Sequence, residues 1–81
     1  MEIIVWTTST CVQCTQTKRQ FDKLGIAYVE KSLEEHPEQL EAFKAQGLLQ
    51  APIVQTDRKL WSGFRLDKIK SLHSFLFGEN K

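Results

Sequence analysis

The chain has 81 residues and a formal net charge of +1, with 41% hydrophobic and 26% charged residues. That length suits a single small domain spanning residues 1–81. Its basic residues are scattered (Lys18, Arg19, Arg58, Lys59, Lys68, Lys70), so the charge pattern excludes nucleic acid as a partner. No apolar run approaches the roughly 20 residues that cross a bilayer. Residues 1–6 are too short for a signal peptide and lack a basic start or cleavage site, so membrane and export are excluded and a cytoplasmic location is expected.

Residues 2–6 (EIIVW) form a β-branched apolar run, as a buried strand does. From Val12 the period changes: Cys14, Thr17, Phe21 and Leu24 recur at three- and four-residue steps, with Lys18, Arg19, Asp22 and Lys23 between them. This predicts an amphipathic helix capped at Gly25. Residues 26–30 (IAYVE) read as a second strand, which completes a βαβ unit with a right-handed crossover. Pro37 opens the next helix at its first position, beside Glu38; Leu40 and Phe43 face inward and Gly47 stops it. Residues 51–55 (APIVQ) begin a third strand, residues 56–58 turn, and residues 59–61 return as its hairpin partner. Leu66, Ile69, Leu72 and Leu76 mark a last helix before a frayed tail, giving the order β-α-β-α-β-β-α.

Both cysteines of the chain fall in T10-C11-V12-Q13-C14-T15, at the junction of the first strand and helix. A cytosolic dithiol stays reduced, which argues against a permanent structural disulfide. A structural zinc needs four ligands; the motif supplies two, and His36 and His73 lack the spacing of a second pair. Haem attachment needs a His directly after the second cysteine, where Thr15 stands. Redox chemistry has a positive mechanism. Unpaired N–H groups and the helix dipole favour a thiolate at Cys11, and Cys14, one turn on, can close a small disulfide ring. Cys11 is then the attacking thiol and Cys14 the resolving one. Near them, a cis bond before Pro52 would set Ala51's backbone to pair with an extended substrate, whereas a trans Pro52 would simply start a strand.

Three stretches, C11-V-Q-C14, residues 45–54 (AQGLLQAPIV) and residues 61–67 (WSGFRLD), resemble the NrdH-redoxins of the thioredoxin superfamily. These are glutaredoxin-like electron donors of class Ib ribonucleotide reductase. The resemblance, over residues 2 to about 73, implies an α/β thioredoxin-like fold with a four-stranded mixed sheet flanked by helices, and a cis Pro52. It implies no bound cofactor and reducing equivalents from NADPH through thioredoxin reductase; a monomer is expected. The partners implied are that reductase and the large subunit of the ribonucleotide reductase. Two positions depart from the family pattern: Leu66, where a Pro is usual, and Thr8, where a basic residue often stands.

The residues agree with that choice of reductant. Where a glutaredoxin has Gly-Gly and an acidic segment for glutathione, this chain has Ser62, Gly63, Phe64 and Arg65. Arg65 would oppose the glutathione amine, and Trp61 with Phe64 could form an apolar patch for a protein, although Trp61 suits the core equally. Arg65 and Asp67 tie the loop to the helix start. Trp6, Tyr28 and the other Phe residues are assigned to the core, and both His residues to the surface. The alternatives are a glutathione-dependent glutaredoxin and a non-catalytic redox sensor or metal-binding module.

Overall fold

Val5 and Trp6 are adjacent, so in a strand their side chains leave opposite faces of the sheet. The computed structural model, which describes residues 2–57 and 59–78, builds on that alternation. Strand β1 (Ile4–Thr7) pairs in parallel with β2 (Val29–Ser32) and antiparallel with β3 (Ile53–Gln55), which pairs antiparallel with β4 (Leu60–Ser62). Among the described residues the sheet order is β2-β1-β3-β4, a mixed four-stranded sheet. Helices α1 (Val12–Leu24), α2 (Pro37–Ala45) and α3 (Leu66–Phe77) flank it.

The register sorts the core into two layers. Val5, Val54 and Trp61 lie in one row across β1, β3 and β4, and pack with Phe21 of α1 and Ile69 and Leu72 of α3. Trp6 and Ile53, one residue along, pack on the other face with Leu33 and with Phe43 of α2. Trp6 meets Phe43 edge-on at 5.7 Å between centroids, and its indole N–H donates to Gln55 Oε1 at 2.9 Å.

Local signals place the helix ends. Gly25 takes the left-handed conformation (φ 74°), and the N–H of Ile26 closes on the Phe21 carbonyl at 2.9 Å. That closure displaces the second strand from its expected 26–30 to Val29–Ser32, because Ile26 belongs to the cap and pairing resumes where Val29 N–H donates to Ile3 O. Pro37 opens α2 as expected, and α2 ends at Ala45 ahead of Gly47, whose φ is 83°. The Ala51–Pro52 bond is cis. Arg58, in the expected turn, and residues 79–81, in the expected fray, lie outside the described residues.

Two core and surface assignments are corrected. Phe75 and Phe77 are exposed, because they sit on the outer side of the last helix while Ile69 and Leu72 take the inner one. His36 is half-buried: its Nδ1–H donates to the Ser32 carbonyl at 2.9 Å and its ring meets Trp6 edge-on at 5.3 Å. His73 is also half-buried, its ring 4.8 Å from that of Phe77. Among the described residues, no helix is long and apolar enough to cross a membrane.

Thr17 is fully buried on the inner face of α1 and its hydroxyl has no partner among the described residues. An unpaired buried hydroxyl costs stability, and a methyl of the same shape does not. Thr17→Val is therefore expected to raise the unfolding free energy by about 1 kcal/mol and Tm by roughly 4–8 °C. Phe21→Ala, which empties the centre of the same layer, is expected to cost about 3–5 kcal/mol. Urea titrations of both variants check this, and a destabilised Thr17→Val would show that the hydroxyl has a partner.

Candidate functional site

The chain leaves β1 at Thr7 and enters α1 at Val12, and Cys11 is the residue that caps the helix. Its backbone is extended (φ −149°, ψ 105°), and its sulfur accepts the N–H of Cys14 at 3.1 Å. A sulfur thus occupies the place where Ser, Thr, Asp or Asn commonly satisfies the first turn. Cys14, three residues on, faces inward at 2% exposure, while Cys11 remains half-exposed. The two are joined as a disulfide, with Cα atoms 5.2 Å apart. Cys11 is thus open to solvent and Cys14 is not.

A polar cleft of about 290 Å³ opens on the β2 side of the pair. Both cysteines line it, together with Lys18 from α1 and Glu30 and Glu34 from β2 and the turn after it. Glu30 accepts from Lys18 Nζ and from the Thr7 hydroxyl, each at 3.0 Å. The Lys18 ammonium holds the Glu30 carboxyl below its usual range; partial burial opposes this and the Thr7 hydroxyl adds to it. Ser9, in the loop before Cys11, donates its hydroxyl to Glu34 Oε2 at 3.0 Å. The loop that delivers Cys11 is thereby fastened to the segment after β2.

On the other side lie the cis-proline loop and residues 62–65. Gly63 N–H donates to the Pro52 carbonyl at 2.8 Å, and Phe64 N–H donates to Gln13 Oε1 at 2.9 Å. Gln13 stands between the two cysteines, so the motif itself holds this loop in place. Gly63 has φ 82°, so a side chain there would be strained, and a Cβ would also press on the Gln50 amide, 3.1 Å from its Oε1. Arg65 pairs with Asp67 at 3.2 Å and lowers its carboxyl pKa, tying the loop to the first turn of α3.

Cys11, Cys14, Pro52, Gly63 and Phe64 are thus joined through bonded neighbours, with Ala51 and Ser62 adjoining them. Trp61 is the exception. It is 3% exposed within the core layer, because its register with Val54 turns it inward, so it offers no surface to a partner. Phe64 keeps part of its ring exposed and rests the remainder against that core. Sequence reasoning missed Gln13, Lys18 and Glu30. The step from Cys11 and Cys14 to Lys18, seven and four residues along one helix face, was a signal for Lys18. Glu30 depends on strand register and carried no such signal. Among the described residues, no three His, Cys, Asp or Glu side chains gather as a metal ion requires.

Comparison with known proteins agrees with this geometry. The glutaredoxin family model matches residues 3–61. The glutaredoxin-like protein NrdH of Escherichia coli K12 is 41% identical over 73 residues, covering 90% of each chain. That of Lactococcus lactis subsp. cremoris is 30% identical over 70 residues, covering 86% of this chain and 97% of its own. The solved structure of the glutaredoxin-like protein NrdH-redoxin from Escherichia coli matches with a TM-score of 0.85 at 41% identity, over 90% of this chain and 96% of that one. A glutaredoxin from Methanosarcina mazei Go1 matches with a TM-score of 0.74 at 25% identity, over 91% and 79%. A thioredoxin-like fold, a C-x-x-C pair at the head of its first helix and these likenesses lead to one assignment: the chain belongs to the glutaredoxin family, among its NrdH-type glutaredoxin-like redox proteins.

Proposed function

We propose that this protein is a cytoplasmic dithiol–disulfide oxidoreductase that carries electrons from NADPH, by way of thioredoxin reductase, to the large subunit of class Ib ribonucleotide reductase. The observation that carries the thiol chemistry is the unequal placing of the two sulfurs: Cys11 half-exposed on a helix cap and Cys14 buried behind it. In the reduced protein the Cys11 thiolate attacks one sulfur of the target disulfide. A mixed disulfide forms, and the target's other sulfur leaves as a thiolate. Cys14, deprotonated, then attacks Cys11 Sγ, closing the intramolecular disulfide and releasing the target as a dithiol. Two electrons pass to the target, and NADPH restores them through the reductase. No cofactor need be bound to this chain.

The choice of partners rests on kinship and on the 62–65 loop. The related Escherichia coli protein is described as having a thioredoxin-like activity profile. In this chain Gln13 fixes Phe64 beside the cysteines and Arg65 is engaged with Asp67, where a glutaredoxin would present groups for glutathione. Val12 (74% exposed) adjoins Cys11, and Leu49 (73% exposed) precedes the cis-proline loop. With Phe64 they replace Trp61 as the apolar groups a protein surface would meet.

Two experiments test this reading. Cys14→Ser is expected to attack a target disulfide and stall, leaving a mixed disulfide visible on a non-reducing gel, whereas Cys11→Ser forms none. The opposite pattern would reverse the roles. For the reductant, oxidised protein is given NADPH with thioredoxin reductase, or NADPH with glutathione reductase and millimolar glutathione. NADPH consumption is expected to be rapid in the first mixture and near background in the second. Adding class Ib reductase and a ribonucleotide to the first mixture is expected to sustain deoxyribonucleotide formation. Phe64→Ala and Arg65→Asp are expected to slow the thioredoxin reductase reaction. Efficient reduction by glutathione alone would make this a glutathione-dependent glutaredoxin.

A further inference from the structure

We propose that Lys18 and Glu30 form a positioning pair that sets the acidity of the Cys11 thiol in the reduced protein, Lys18 favouring the thiolate and Glu30 opposing it. The inference rests on the assignment of Cys11 as the attacking thiol. It starts from the cleft beside the cysteines. Among the described residues lining it, Lys18 is the one cation, and its ammonium is held 3.0 Å from Glu30 Oε2. The Thr7 hydroxyl grips the same carboxylate oxygen at 3.0 Å, and Thr7 ends the strand that leads into Cys11. Three bonded side chains from β1, α1 and β2 therefore fix two opposite charges on the wall of the space that the Cys11 sulfur shares.

A thiolate answers to such charges because its protonation changes its own charge by one unit. Both members stay partly solvated, with side-chain exposures of 30% for Lys18 and 43% for Glu30, so each acts at a distance and with some screening. The pair is neutral as a whole, and its influence appears when one member is removed. Other charged groups among the described residues lie close to the cleft. Glu34 lines the cleft and accepts from Ser9. Arg19, Asp22 and Tyr28 line the adjoining hollow, which shares Lys18 and Glu30 with the cleft. Arg65, beyond the cysteines, is paired with Asp67. The loop between Thr7 and Cys11 holds only Thr8, Ser9 and Thr10, which carry no charge.

The test is the pH dependence of alkylation of the fully reduced protein by iodoacetamide, from about pH 4 to pH 10 so as to span the ordinary thiol range. The modified cysteine is located by tandem mass spectrometry. Glu30→Gln is expected to lower the Cys11 midpoint and to raise the rate below it about threefold; Lys18→Met is expected to raise the midpoint and to slow the rate by a similar factor. The double variant is expected to return close to the wild-type profile, and Lys18→Arg to keep it. A purely structural role would alter Tm without moving the midpoint. Should Lys18→Met not fold, Glu30→Gln, isosteric and on a partly exposed edge strand, carries the test by itself. Midpoints unchanged in both single variants, with Cys11 still the residue modified, would overturn this inference alone. First modification at Cys14 would instead overturn the assignment of roles on which it rests.

Discussion

The helix cap at Cys11 is the contact on which this site depends. A helix must find acceptors for its first N–H groups, and here the acceptor is a sulfur, bonded by the Cys14 N–H at 3.1 Å. The bond that begins the helix and the bond that favours charge on the sulfur are therefore one bond. Strand β1 delivers that sulfur. Its alternation commits Val5 and Trp6 to opposite core layers, and with both layers filled its end has little freedom to shift. Helix α1 is held from beneath by Phe21, so the cap is held at both ends.

Around this fixed point, different elements supply different chemistry. The β2 side is charged and hydrogen-bonded, with Lys18, Glu30, Thr7, Ser9 and Glu34 in defined pairs. The opposite side is made of backbone and amides: the Pro52 carbonyl, the N–H groups of Gly63 and Phe64, and the side chains of Gln13 and Gln50. Near the cysteines Val12 and Leu49 are exposed and Phe64 partly so. The charged wall suits tuning of the sulfur, because charge acts across several ångströms, whereas apolar contact acts only on touching.

The sequence made legible whatever is decided locally. The Gly25 cap, Pro37 at the first turn of α2 and the strand–helix position of the cysteines each depend on a few adjacent residues, and each stands where local rules put it. The second strand came out two to three residues late in the structure because a cap closure at Ile26, not hydrophobicity, decides where pairing resumes. Trp61 could not be assigned from its type, since an indole serves core and surface alike; its register with Val54 assigns it to the core. Glu30 was illegible for the same reason. It stands opposite Val5 only because β2 pairs in parallel with β1 at that register, and a shift of one residue would turn its carboxylate to the other face.

The spacing of the two cysteines bears on how the protein changes state. A disulfide accepts Cα separations of about 4.4–6.8 Å. Here that separation is 5.2 Å, inside that range. Reduction breaks the S–S bond with two electrons and frees two thiols, one of them on the half-exposed Cys11, where a charge can develop. That places the burden of reactivity on the electrostatics of the cap and of the cleft beside it, on rigid elements that each core layer already holds.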